Sequence, residues 1–122
     1  VSDYRVESAR RHAVELLRLS DPPTAIIAGD DGGALGVYQA AAAARLRIPE
    51  DLSVVGYDDL PMASWSIPPL TTVRQPLLEM AAAATDMVIA LAREEPLPRR
   101  RVELATELLV RDSTAPPAPR GR

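Results

Sequence analysis

Apolar and polar positions along the chain alternate between two periods. Val6, Ala9, Ala13, Leu16 and Leu17 recur at helical spacing, and so do Leu77, Met80, Ala81, Ala84, Met87, Val88 and Leu91. Short apolar runs, TAIIA from Thr24 and LSVVGY from Leu52, instead read as buried strands. Proline divides these segments, because it is excluded from helix interiors and central strands. Prolines fall at 22–23, 49, 61, 68–69, 76, 96 and 98 and in the tail. The segments between them predict helix 5–19, strand 24–28, helix 30–45, strand 52–57, a short irregular or helical piece 59–66 and strand 71–74. Helix 76–94 and a hairpin-like pair, 101–104 with 107–111, follow. Strands alternating with helices predict an α/β fold, a mostly parallel sheet flanked by helices. Residues 116–122 offer nothing to bury and are expected to be disordered.

At 122 residues and 47% apolar content, the chain is long enough for one ordinary core. Its composition then removes chemistry. There is no cysteine, and all 14 basic residues are arginine, so thiolate sites, Schiff bases and a P-loop lysine are excluded. The single histidine, His12, falls within a helical pattern and reads as a surface residue, and no G-x-S-x-G elbow is present. No run approaches the length of a membrane-spanning helix, so no membrane partner is expected. A net charge of −3 argues against direct binding to a phosphate backbone, and Arg99-Arg100-Arg101 reads as a solvated loop. The expectation is a binding protein with no cofactor, and not an enzyme.

Two acidic pairs carry the candidate chemistry. TAIIA runs into Gly29-Asp30-Asp31-Gly32-Gly33, and the second strand ends in Tyr57-Asp58-Asp59. The glycine spacing does not fit the dinucleotide fingerprint, and aspartates stand where a pyrophosphate needs neutral donors. Open α/β sheets bind ligands outside the carboxyl ends of their strands, so both pairs arrive at one rim. Asp30 or Asp31 could cap the following helix. The carboxylates could also accept charge-assisted bonds from the hydroxyls of a polyol. A Mg²⁺ site, or a phospho-acceptor domain of the receiver type, is the alternative. It is weakened by the missing lysine.

A longer ordered set of residues resembles one family. Pro23-Thr24-Ala25-Ile26, Asp30-Asp31 with Ala34-Leu35-Gly36, and the run from Ile48 through Pro49-Glu50-Asp51-Leu52-Ser53-Val54-Val55-Gly56-Tyr57 to Asp58-Asp59 come first. Pro68-Pro69-Leu70-Thr71-Thr72-Val73-Arg74-Gln75-Pro76 and Thr106 to Thr114 complete the set. The whole, from about residue 3 to 115, resembles the effector-binding domain of LacI/GalR transcriptional regulators.

That resemblance implies the C-terminal lobe of a periplasmic-binding-protein-like (type I) fold, truncated. Residues 1–74 and 96–115 would form that lobe, and 75–95 would cross to the N-terminal lobe, most of which, with the helix-turn-helix, is expected to lie outside this sequence. A small-molecule effector, a sugar or related polar metabolite, would be bound by Asp30, Asp58, Gln75 and Leu77. Asp58 is the leading candidate. Asp30 replaces the asparagine usual in the family, and Leu77 stands where some sugar-responsive members carry an aromatic ring. A homodimer would form through Ala34, Leu35, Val37, Tyr38, Ser64, Trp65, Ser66, Ile67, Pro68 and Pro69. Trp65 could equally fill a core. Operator DNA would be reached only through the N-terminal domain, in the cytoplasm.

Overall fold

The computed structural model describes residues 5–97 and 99–117. The chain divides into two compact units, Val1–Arg74 with Leu108–Arg122, and Gln75–Glu107. In chain order the elements are α1 (Val6–Leu17), β1 (Ala25–Ile27), α2 (Asp31–Ala43), β2 (Ser53–Asp58), α3 (Pro61–Trp65), β3 (Thr71–Arg74), α4 (Leu77–Ala92) and β4 (Glu107–Leu109).

The four strands form one sheet in the order β1-β2-β3-β4, with β1 parallel to β2 and β2 parallel to β3. The register pairs Ile26 with Val54, Val55 with Thr71 and Asp58 with Arg74. Along β2 buried and half-buried positions do not alternate cleanly, as expected of a central strand in a mostly parallel sheet. Ser53, Val54 and Gly56 are all buried.

The core of the first unit is built from Ala13, Ala34, Val37, Ala40, Ala41, Leu52, Val54, Ala63 and Leu70. Burying Leu52, Val54 and Leu70 stabilises the fold by about 1.5–3 kcal/mol each. Small residues elsewhere in the core let helix and sheet approach closely. At Gly36 a methyl group would run into the Val6 carbonyl oxygen and the Arg10 amide nitrogen of α1. Helix α1 ends at Leu17, with Arg18 as its C-cap shortly before Pro22-Pro23, and exposes His12, as its pattern predicts. Helix α2 is N-capped by Asp30, whose side chain accepts a bond from the Gly33 amide.

In the second unit α4 is a 16-residue helix with no buried residue. Pro76 is its N-cap and not its first helical residue. The hairpin-like pair expected after it does not form. Residues 101–106 have no regular structure, and only Glu107–Leu109 is a strand, joined to the sheet of the first unit. Val102 is 46% exposed, so alternation in this stretch reflects no buried face. Within the expected disordered tail, residues 118–122 lie outside the described residues. Among the described residues no helix is long and apolar enough to cross a membrane.

Candidate functional site

The rim at the carboxyl end of β2 collects four aspartates with different tasks. Asp30 is half-buried and caps α2 through the Gly33 amide, the capping role weighed for it above. Asp31, the first residue of the helix, has no exposed surface. One of its carboxylate oxygens accepts a 2.6 Å bond from the Thr72 hydroxyl, and the other a 2.7 Å bond from the Leu60 amide. Burial raises the Asp31 pKa, the two hydrogen bonds oppose the rise, and the nearby charges of Asp58 and Asp59 add to it. Asp31 therefore lies within electrostatic reach of the second acidic pair. It ties α2 to β3 and to the turn before α3.

Space for that carboxylate comes from Gly56. A Cβ there would collide with the Asp31 Oδ1 and crowd a Leu70 methyl, so glycine interrupts an otherwise β-favouring strand for a packing reason.

Asp58 and Asp59 both have positive φ, 107° and 55°. Asp58 is half-buried at the last position of β2, opposite Arg74 in the register. Asp59 is held by two arginines, accepting from Arg74 Nε at 2.7 Å and from Arg111 Nη2 at 2.6 Å. Arg111 also donates from Nη1 to the Leu70 carbonyl at 2.8 Å. Burial alone would raise the Asp59 pKa, but the bonds from Arg111 and Arg74 and their charges lower it below the usual carboxylate value. Asp59 is thus ionised and engaged within the protein.

Sequence reasoning placed the two pairs at one rim but did not divide the work among them. The buried tie of Asp31 and the arginine pairing of Asp59 were missed. A glycine inside a β-favouring strand was the available signal for the first. Nothing local signals the second, since Arg111 lies 52 residues from Asp59. Among the described residues no group of three or more His, Cys, Asp or Glu side chains could hold a metal ion. The Mg²⁺ alternative gains no support from this geometry. Gln75 and Leu77 belong to the second unit, where Leu77 is 51% exposed and its amide donates to the Gln75 carbonyl.

The residues expected at a dimer contact are partly reassigned. Ala34 and Val37 lie in the core of the first unit and pack α2 in place, which leaves no surface for a partner. Leu35 and Tyr38 are half-buried, and the Tyr38 hydroxyl donates to the Pro68 carbonyl at 3.0 Å. Ser66 Oγ lies 3.0 Å from both the Ala63 and the Pro68 carbonyls, and Ser64 Oγ donates to Pro61. Pro68 and Pro69 are half-buried. Trp65 and Ile67 are 77% and 93% exposed, so the core reading of Trp65 does not hold.

The sequence profile of the periplasmic binding protein-like domain matches residues 2–114. The ribose operon repressor of Escherichia coli K12 is 42% identical over 97 residues, which cover 78% of this chain and 29% of the repressor. The chain thus spans under a third of that relative's length. Among solved structures, a LacI family transcriptional regulator from Bifidobacterium animalis subsp. lactis superposes with a TM-score of 0.87 at 34% identity. The match covers 96% of this chain and 43% of the regulator. A LacI family regulator from Lactobacillus casei with bound sucrose gives a TM-score of 0.76 at 32% identity, covering 90% of this chain and 41% of that one. The chain belongs to the periplasmic binding protein-like domain family, and corresponds to the C-terminal part of the effector-binding domain of LacI/GalR-type transcriptional regulators.

Proposed function

We propose that this chain supplies the small-molecule effector-binding and dimerisation portion of a LacI/GalR-type regulator, with a sugar or related polar metabolite as guest. The place of Asp58 in the sheet carries the proposal. It is half-buried at the last position of β2, at the carboxyl end of the parallel strands, where open α/β sheets bind their ligands. A carboxylate gripping hydroxyls forms charge-assisted bonds roughly twice as strong as neutral ones, the chemistry a sugar offers. Support for a sugar also comes from relatives named as a ribose operon repressor and as a regulator with bound sucrose.

Asp30 neighbours the same rim, and its Gly33 bond leaves a second carboxylate oxygen as an acceptor. Gln75 and Leu77 are assigned to effector binding by family resemblance alone. The exposed Trp65 and Ile67 are the surface proposed for a second copy. Operator contact is assigned to a separate DNA-binding domain of the intact regulator, acting in the cytoplasm, and no catalysis is proposed.

Titrating D-ribose and sucrose into the isotopically labelled chain tests the reading. We expect saturable NMR shifts of the amides at Gly29–Asp31 and Tyr57–Asp59 with at least one sugar, lost in Asp58→Asn. Shifts that Asp58→Asn leaves intact would remove Asp58 from the role. No saturable shift with either sugar would remove the sugar assignment.

A further inference from the structure

Helix α2 runs out in alanines, and the short side chain of Ala42 leaves room beside the last turn. A groove of about 570 Å³ opens there. Leu46 and Ile48, from the loop after the helix, line it together with Tyr38, Ala42, and Ile67 and Pro68 from the turn after α3. The groove is preformed. The Tyr38 hydroxyl donates to the Pro68 carbonyl at 3.0 Å and ties the helix wall to the turn wall. On the rim, the Arg47 side chain is engaged by Asp51, donating from Nε at 2.9 Å and from Nη2 at 3.0 Å.

Trp65, the only tryptophan of the chain, ends α3 two residues before Ile67. It is 77% exposed and lines no part of the groove, whereas Ile67 belongs to the groove wall. A projecting indole and an apolar groove thus share one short, internally bonded segment. In a twofold pair a patch meets itself, so a knob beside a hole is faced by a hole and a knob. Charge at the rim fits the same arrangement. Arg47 and Glu50, the two charged residues lining the groove, have opposite signs, so a copy turned about a twofold axis sets unlike charges against each other. A rim of one sign would repel its own copy.

We propose that this groove receives Trp65 of a second copy, each indole filling the other copy's groove so that the pair makes two identical contacts. An aromatic anchor seated in an apolar pocket is the arrangement in which a few residues carry most of an association. The inference rests on the reading of Trp65 and Ile67 as a self-association surface, and it adds what the tryptophan packs against.

The test fills the groove from its own wall. Ala42 is exposed and lies one residue before the end of α2, where an arginine suits the helix dipole, so Ala42→Arg occupies the groove without entering the core. Self-association in sedimentation equilibrium should weaken at least about thirtyfold, as in Trp65→Ala, with the thermal unfolding midpoint kept. Fluorescence of the single tryptophan should shift to shorter wavelength as the unsubstituted chain dimerises and stay at its exposed position in Ala42→Arg. A mixture of Ala42→Arg, which keeps the knob, with Trp65→Ala, which keeps the hole, restores one of the two contacts. It should associate about fivefold more tightly than either variant alone, the square root of the thirtyfold loss for two equal contacts. Should Ala42→Arg unfold, Ala42→Gln takes its place in every measurement. A mixture no tighter than its components overturns the inference and leaves Trp65 packed on its own symmetry mate. Dimers of unchanged affinity in Ala42→Arg overturn the groove alone, and an unsubstituted chain that never self-associates removes the dimerisation reading beneath it.

Discussion

The Thr72 hydroxyl donates to the fully buried carboxylate of Asp31 at 2.6 Å, joining the start of α2 to the middle of β3 across β2. With the Leu60 amide on the other oxygen, both donors are satisfied by one side chain. Asp31→Ala leaves the Thr72 hydroxyl unpaired in the interior and the Leu60 amide without its partner in a part-buried turn, and a loss of about 2–4 kcal/mol is expected. Asp31→Asn keeps an acceptor for one and adds a donor that the Thr72 oxygen can accept, so it should cost under about 1.5 kcal/mol. Urea unfolding of the two variants checks the difference, and equal losses would show that shape and not hydrogen bonding governs the position.

Asp31 and Asp59 should shift stability with pH in opposite directions. Burial raises the Asp31 pKa from its ordinary 3.8, against its hydrogen bonds, so its contribution is fully present below 3.8 and lost as pH rises through the folded value. At Asp59 burial is outweighed by Arg111 and Arg74, and the pKa falls below 3.8. Its contribution is present above 3.8 and lost as pH drops through the folded value. Relative to Asp31→Asn, the unsubstituted chain should lose stability as pH rises above 3.8. Relative to Asp59→Asn, it should lose stability below pH 3.8. Denaturant midpoints across this range read both slopes, and parallel profiles for the three proteins would contradict the assignment.

Much of this was legible in the sequence because it rests on local rules. Apolar spacing and proline positions marked α1, α2, α4 and the three parallel strands to within a few residues. The acidic pairs stood out because each follows a strand pattern. What could not be read depends on contacts distant in sequence. Thr72 is 41 residues from Asp31, and Arg111 is 52 residues from Asp59. The interior places of Ala34 and Val37 were missed because an alanine-rich helix is apolar almost all round. Its pattern alone cannot separate the face on the sheet from a face offered to a partner. The false strand at 101–104 came from a short alternation with no face to bury.

Gly36 lies inside α2, where alanine would ordinarily be better by about 1 kcal/mol. A Cβ there meets the backbone of α1 at Val6 and Arg10, and backbone cannot swing aside as a side-chain tip does. Gly36→Ala should therefore separate the helices and cost about 1–3 kcal/mol, a sign opposite to helix propensity. A stabilised Gly36→Ala in thermal unfolding would mean that α1 is free to move away from α2.

Trp65 and Ile67 carry the largest apolar exposure around the short helix α3, 77% and 93%, on a segment that is internally fixed. The Ser66 and Tyr38 hydroxyls and the Pro68 carbonyl hold the backbone between them, so the two side chains stand on a rigid support and ordering them in a contact costs little entropy. A lone exposed leucine needs no explanation, but a tryptophan beside an isoleucine on a fixed turn matches the usual anchor of an interface. In the isolated chain these side chains touch mainly water, so Trp65→Ala and Ile67→Asp should leave the monomer's unfolding midpoint nearly unchanged. Self-association should weaken by at least about 2 kcal/mol, roughly thirtyfold in dissociation constant. Sedimentation equilibrium of the chain and its variants measures this directly. Dimers of unchanged affinity in both variants would move the contact to another surface, and a large drop in the monomer's midpoint would mean that the side chains pack within their own chain.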